Sequence, residues 1–464
     1  MSIDRLALHD DRPRAIAITA IVILLALPGC SGGSRSPAPE AEPISTDLAV
    51  QTFDSAWSRI NTSYYDPEFR GIDWEGVRDE LRPEAARSET QEALRGVLGD
   101  MLSRLGESHF AILPGARVDA IQVGEDGTGE ASGSGEGDLG IEVRWVEGAL
   151  TVFRVAEGPA RAAGVQPGWI IDAIGDRSMA EWAEIVEETE AGRARISVET
   201  ETMQGAHQLF RGGVGSSLDL TFIDGEGDRR ELTLERTPVR GEMIRFGGLP
   251  AMTAWLDHER IERPDGSCAG VITFNVWMLP LVPSFNQAVD ALEECAGIVI
   301  DLRGNPGGVG GMVMSTAGSF FSERAELGTL HARTGELDFV AMPRRVDSRG
   351  ELRDAFDGRL AVLVDQMSMS TSEIFAAGLA STGRARLFGQ TTPGYALPAM
   401  TLRLPNRDVL YHVVSNLTDP EGVRIEGLGV RPDVEIPLRR RGLLAGRDEV
   451  LDAAVAWATG GARP

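Results

Sequence analysis

Residues 360–380 read LAVLVDQMSMSTSEIFAAGLA. Leu360 to Val364 is an unbroken apolar run of the kind found in a strand buried on both faces, as in parallel sheets. Asp365 and Gln366 end it. From Thr371 the spacing of Ile374, Phe375 and Leu379 predicts a helix. Ser368, Ser370, Thr371 and Ser372 therefore fall where a buried strand hands over to a helix. The N–H groups at a helix start lack partners and carry the positive end of the dipole, so a developing oxyanion is stabilised there. A serine at such a junction can act as a nucleophile. It can equally be a cap, since Ser370 and Glu373 form the S-x-x-E pattern of a capping box. This stretch alone leaves both readings open.

Upstream, two segments enter apolar strands through the same three residues, Cys268-Ala269-Gly270 and Cys295-Ala296-Gly297. A helix around 283–294 separates them, which predicts a β-α-β unit with neighbouring parallel strands. Cys268 and Cys295 then begin adjacent strands in matching register. Outside the cytosol they are expected to form a disulfide contributing about 3 kcal/mol; the alternative is that parallel geometry holds the thiols apart. The second strand runs into Asp301-Leu302-Arg303-Gly304-Asn305-Pro306-Gly307-Gly308. A glycine-rich turn at the C-terminal end of such a strand lets backbone N–H groups approach a ligand. Phosphate cradling is the weaker reading, because no Gly-Lys-Ser/Thr follows.

The N-terminus points to export. Arg12 and Arg14 precede an apolar run from Ala15 to Leu27, too short to span a bilayer but suited to a signal peptide. Cys30 follows, and the segment resembles a bacterial lipoprotein signal in which that cysteine is lipidated and becomes the first residue. Simple secretion and an uncleaved anchor are the alternatives. Residues 31–46, rich in Pro, Ser and Gly, form a disordered tether. The resulting expectation is a cell-envelope or periplasmic protein anchored to the membrane through Cys30. A net charge of −25, from 45 basic and 70 acidic residues, argues against a nucleic-acid partner. Three cysteines are too few for a disulfide scaffold or a zinc cluster.

Residues 47–114 form an N-terminal helical region. Phe53, Trp57, Ile60 and Tyr64 fall at helical spacing, and Ser88 with Gln91 suggests a capping box for a second helix whose apolar face includes Leu94, Leu98 and Leu105. That helix ends at Gly106 and delivers Glu107-Ser108-His109. The chain has six histidines. His109, at a helix exit where loops present catalytic groups, is a candidate base, against the blander reading of a structural histidine. Residues 115–137 read as an acidic Gly/Ser linker.

In residues 138–240, Asp138-Leu139-Gly140-Ile141 opens alternating strands, and Gly158-Pro159-Ala160, Ala163-Gly164-Val165 and Pro167-Gly168 follow. This pattern resembles a PDZ domain. The resemblance implies that the Leu139-Gly140-Ile141 backbone receives a C-terminal carboxylate while the peptide adds a strand to the sheet edge. The PDZ helix is expected near 179–189, with the stretch to about 210 as an insertion.

Taken together, Asp301 to Gly308, the serine cluster with Glu373 and Ile374, and Glu426-Gly427-Leu428-Gly429-Val430-Arg431-Pro432-Asp433, all behind a PDZ-like domain, resemble the carboxy-terminal-processing (tail-specific) serine proteases over roughly residues 47–440. The resemblance implies a multidomain α+β protein: the helical region, the PDZ-like β-domain, an α/β (crotonase-like) protease core over 241–440, and a C-terminal helix or tail over 441–464. It makes Ser370 the nucleophile, with the N–H groups of Gly307 and Thr371 as the oxyanion hole and Gly308 as a substitute. The lysine base of most tail-specific members is missing: Thr391-Thr392-Pro393-Gly394-Tyr395-Ala396 stands there, with Tyr395 at the lysine position. The tricorn-like branch resembles this chain more closely. It implies His109 as base, with Ser108 and Glu426 orienting it. His412, in an apolar strand over Val409–Val414, is a backup base, against the reading of a structural histidine. Protein or peptide substrates with accessible C-termini are expected, with no metal or organic cofactor. A catalytically inactive peptide-binding lipoprotein on the same fold is the rival reading, and a serine esterase the third.

Overall fold

In the computed structural model, residues 42–115, 136–189, 192–244 and 252–460 are described. The signal segment with Cys30, most of the tether and most of the acidic linker lie outside the described residues. The described residues start with three helices: α1 (Thr46–Ser63), α2 (Trp74–Arg87) and α3 (Gln91–Ser103). The α1 face carrying Phe53, Trp57 and Ile60 is buried, and Tyr64 packs with it. Helix α2, capped by Asp73, was not anticipated from its sparse apolar pattern. The start of α3 differs from expectation. Thr90, not Ser88, accepts the Ala93 N–H at 3.1 Å, while Ser88 ends α2.

After α3, strand β1 (Ala111–Leu113) pairs antiparallel with residues 409–411, some 300 positions away. Leu397, Leu404, Leu410 and Val413 share the core of the three helices. The N-terminal region is therefore completed by a hairpin from the C-terminal half of the chain.

The next unit is a sheet ordered β2 (Ile141–Val146), β3 (Ala149–Val155), β4 (Ile170–Ile174), β5 (Ser217–Ile223), β6 (Arg229–Glu235), so that β2 is an edge strand. Helix α4 (Ala180–Glu188) matches the expected helix. The stretch read as an insertion is helix α5 (Arg193–Phe210), and its Met203, Ala206 and Phe210 are buried in the core of this unit. It is α5 that lies against β2: the Val143 N–H donates to His207 Nε2 at 3.3 Å and the Trp145 N–H to Met203 Sδ at 3.2 Å.

The central sheet runs β7 (Leu256–Glu262), β8 (Cys268–Phe274), β9 (Gly297–Asp301), β10 (Arg359–Val364), β11 (Ala385–Gly389) and a short strand, Val434–Glu435. The pairs β8–β9, β9–β10 and β10–β11 are parallel. Helix α6 (Val282–Ala291) joins β8 to β9. Cys268 and Cys295 form a disulfide, with Cα atoms 4.9 Å apart. The expected matching register is off by one: Ala269 faces Gly297, so Cys268 opens β8 while Cys295 lies in the turn ahead of β9. The apolar run in β10 is explained by its two buried faces. Leu360, Val362 and Val364 enter one core, and Ala361 and Leu363 enter the other, formed with the helix Glu449–Thr459. Among the described residues, no helix is long and apolar enough to cross a membrane.

Candidate active site

Strand β10 ends in a tight turn that delivers helix α7 (Thr371–Ser381). Ser370, its N-cap, has φ 55° and ψ −116°, a left-handed conformation that costs a non-glycine residue strain and is retained only where the surroundings enforce it. Glu373 does so. Its buried carboxylate accepts the Ser370 N–H at 3.0 Å with Oε2, completing the S-x-x-E box, so the cap reading is correct as local structure. The neighbouring hydroxyls are engaged. Ser368 donates to Leu302 O at 2.7 Å, Thr371 to Gly308 O at 2.9 Å and Ser372 to Asn305 O at 3.0 Å. Among the described residues the Ser370 hydroxyl donates to none of the others.

The glycine loop lies directly against this serine. A Cβ on Gly307 would fall 2.7 Å from Ser370 Cβ and 3.0 Å from the Thr371 nitrogen; one on Gly308 would fall 2.3 Å from Trp277 O. Both positions also hold positive φ, so only glycine fits. The Gly307 N–H is turned inward and donates to Asn305 Oδ1 at 3.0 Å. The N–H groups of Gly308 and Thr371 have no acceptor among the described residues.

His109, also at positive φ (62°), lies between α3 and β1 and is held by the pairing of β1 with β13 (Val409–Val413), which in turn pairs with β12 (Ala399–Arg403). Ser108 Oγ lies 2.6 Å from His109 Nδ1 and 3.0 Å from Glu426 Oε2, and the Ser108 N–H donates to Glu426 Oε1 at 3.0 Å. A hydroxyl has one proton. Ser108 gives it to the carboxylate and so accepts from an Nδ1–H, which assigns the tautomer that leaves Nε2 with its lone pair. Burial pushes the His109 pKa down to about 4. Burial also raises that of Glu426, against the donors from Ala396 and Ser108.

The serine and the histidine line are linked through residues 394–396. Glu373 accepts the N–H groups of Gly394 at 2.7 Å and Tyr395 at 2.8 Å, and Glu426 accepts that of Ala396 at 2.7 Å. Among the described residues no hydrogen bond joins Ser370 directly to His109. The Tyr395 hydroxyl, at the lysine position, points to Glu201 of α5 at 3.4 Å. His412 is buried with Nδ1 3.3 Å from Ser63 Oγ, a contact with α1 that does not reach the serine.

In the β-domain, Leu139 is buried and Ile141 pairs with Val155. The Gly140 N–H, expected to receive a carboxylate, donates to Asp138 Oδ1 at 2.6 Å. Among the described residues, no group of three or more His, Cys, Asp and Glu side chains could hold a metal ion. The roles of Glu373 beyond capping, and of Glu107 and Arg424 described below, were not read from the sequence; the only signal was their closeness to Ser370, Ser108 and Glu426.

The chain is similar to known peptidases. Residues 269–436 match the model of Peptidase family S41, and residues 49–103 match the Tricorn protease C1 domain. A carboxyl-terminal-processing protease of a Synechocystis species is 28% identical over 391 residues, covering 82% of this chain and 80% of that one. Carboxyl-terminal-processing peptidase 3, chloroplastic, of Arabidopsis thaliana is 26% identical over 409 residues, covering 86% and 70%. Tricorn protease homolog 1 of Streptomyces coelicolor is 25% identical over 426 residues, covering 88% of this chain and 35% of that protein. The photosystem II D1 C-terminal processing protease has the same fold, with a TM-score of 0.58 at 20% identity over 89% of this chain and 97% of that one. The Ser370 turn and the glycine loop both lie inside residues 269–436, which carry the Peptidase family S41 match, and the chain is a serine-type peptidase similar to the carboxyl-terminal-processing proteases.

Proposed function

We propose that this chain is an exported endopeptidase that cleaves polypeptides through an acyl-enzyme on Ser370, with His109 rather than a lysine as the base. The observation that carries this reading is the hydrogen-bonded line Glu426–Ser108–His109, which leaves Nε2 unprotonated. His109 Nε2 takes the Ser370 proton as Oγ attacks the scissile carbonyl. Ser108 and Glu426 stabilise the imidazolium, and the proton then passes to the leaving amine. Water repeats the sequence to release the acyl group. Gly308 and Thr371 supply the oxyanion donors, since the Gly307 N–H is engaged elsewhere. Tyr395 cannot serve in place of lysine: burial and Glu201 hold its phenol protonated.

The PDZ-like domain captures substrate C-termini at Leu139-Gly140-Ile141, beside the β2 edge. In the present conformation Asp138, His207 and Met203 occupy the N–H groups that such a peptide needs. Capture therefore includes a shift of α5. Lipidation at Cys30 anchors the protein to the cell envelope.

The test is labelling of the purified mature protein with a fluorophosphonate, comparing wild type with Ser370→Ala, His109→Ala and Tyr395→Phe. Labelling is expected to need Ser370 and His109 and to survive the tyrosine change. Labelling that persists without His109 overturns the assignment of the base.

A further inference from the structure

Resting on the Ser–His reading, we infer that Glu107 and Arg424 form a clamp that positions the catalytic relay. The relay joins two segments distant in sequence, 107–109 and 424–426, and it works only while they keep their register. One hydrogen bond pair, Ser108 to Glu426, spans them within the relay. A second connection runs alongside it. Glu107 precedes the Ser-His pair and Arg424 stands two residues before Glu426; the Arg424 Nη2 donates to Glu107 Oε1.

Both sides of this ion pair are fixed. The Glu107 side chain is 1% exposed and accepts from the hydroxyls of Tyr64 and Tyr65, the latter at 2.8 Å, and from Arg70 Nη1 at 2.9 Å. Tyr64 and Tyr65 follow directly on α1, so the carboxylate is tied to the helical region. Arg424 also donates through Nε to Asn416 Oδ1 at 3.1 Å and through Nη2 to the Tyr65 hydroxyl at 3.2 Å. A guanidinium can make these bonds at once because its donors are set in a planar fork; an ammonium on the same backbone cannot.

The adjoining backbone gives the clamp a reason. Gly106 and His109 both have φ of 62°, so the turn carrying Ser108 doubles back sharply, and His109 bears strain that needs outside support. Glu107 supplies it from inside the turn. Arg424 thus acts through Ser108 and His109 and is a positioning residue, not a catalytic one.

The experiment compares wild type, Arg424→Met and Arg424→Lys in fluorophosphonate labelling rate and in the NMR signals of the His109 imidazole. A positioning error near the reacting groups is expected to slow labelling about 10- to 100-fold in Arg424→Met, with a smaller loss in Arg424→Lys. The His109 signals should move as the Ser108 bond loosens, and added methylguanidinium should restore labelling several-fold. Unchanged labelling and unchanged His109 signals in folded Arg424→Met overturn the clamp. So does a loss of labelling that methylguanidinium does not restore and that leaves the His109 signals in place, because it marks general destabilisation. If wild-type labelling proves independent of His109, the Ser–His reading fails, and the His109 signals alone then decide whether the clamp exists. Should Arg424→Met fail to fold, Arg424→Lys carries the same two readouts.

Discussion

Glu373 Oε2 accepts the N–H of Ser370 at 3.0 Å and that of Tyr395 at 2.8 Å, so a single carboxylate oxygen ties Ser370 to the loop whose Ala396 N–H reaches Glu426. The other oxygen accepts from Gly394 and Thr392. Three of the four are backbone N–H groups, which can only donate; a carboxyl, ionised or protonated, keeps a lone pair on both oxygens to accept them, whereas the NH2 end of an amide would face at least one of them with no lone pair. Glu373→Gln is expected to lower stability by about 1–3 kcal/mol, the cost of leaving buried donors unpaired. Labelling of Ser370 should slow with it. Thermal unfolding beside labelling rates checks both effects, and an unchanged melting temperature argues against the role.

On the proposed mechanism, His109 sets the acid limb of activity. With its pKa pushed down from 6.5 to about 4, the imidazole stays neutral well below neutral pH. The fall in kcat/KM on acidification should therefore centre nearer 4 than 6.5, and a pH profile on a peptide substrate reads it directly.

Stability shifts in opposite senses with pH at the two sites. The unfolded chain protonates His109 below about 6.5 and the folded protein only near 4, so the folded state loses stability as pH falls across that window. Burial raises Glu373 from 4.5 to about 7. There the folded state holds the extra proton, and stability falls as pH rises from 4.5 through 7. Glu373→Gln should abolish the second dependence and keep the first, as denaturation midpoints measured from pH 4 to 8 would reveal.

Gly308→Ala tests the proposed oxyanion donors. Its Cβ would fall 2.3 Å from Trp277 O, in a backbone region that alanine avoids, so the loop must move and carry the Gly308 N–H with it. Loss of one such donor costs about 100- to 1,000-fold in kcat. KM should change little. A drop confined to KM would assign the loop to substrate binding instead.

The β2 edge offers a separate test. His207→Ala frees the Val143 N–H and weakens the contact between α5 and the sheet. If peptide C-termini add to this edge, their affinity should rise by about tenfold, the equivalent of 1.4 kcal/mol for one hydrogen bond no longer displaced. Fluorescence anisotropy with a labelled C-terminal peptide measures it. Unchanged or weaker binding would place the peptide elsewhere.

Local pattern determined a good deal of this protein. The unbroken run at Leu360–Val364 required a strand buried on both faces, the helical spacing after Thr371 required a helix, and together they placed Ser370 at the junction. The shared Cys-Ala-Gly entries brought Cys268 near enough to Cys295 to bond, although the strands pair one residue out of the expected register. These features depend on neighbours in sequence or on a strand's own periodicity, and both are legible in a single chain. Only the tertiary structure decided the rest. Which glycine N–H stays open depended on the Asn305 side chain. Which helix faces β2 depended on how Met203, Ala206 and Phe210 fill the core, since the apolar spacing in α5 is diluted by Thr, Glu and Gln. The pairing of β1 with β13 and the line from His109 to Glu426 join residues about 300 positions apart. No periodicity encodes such contacts, because they follow from how separately folded segments pack rather than from the order of residues within any one of them.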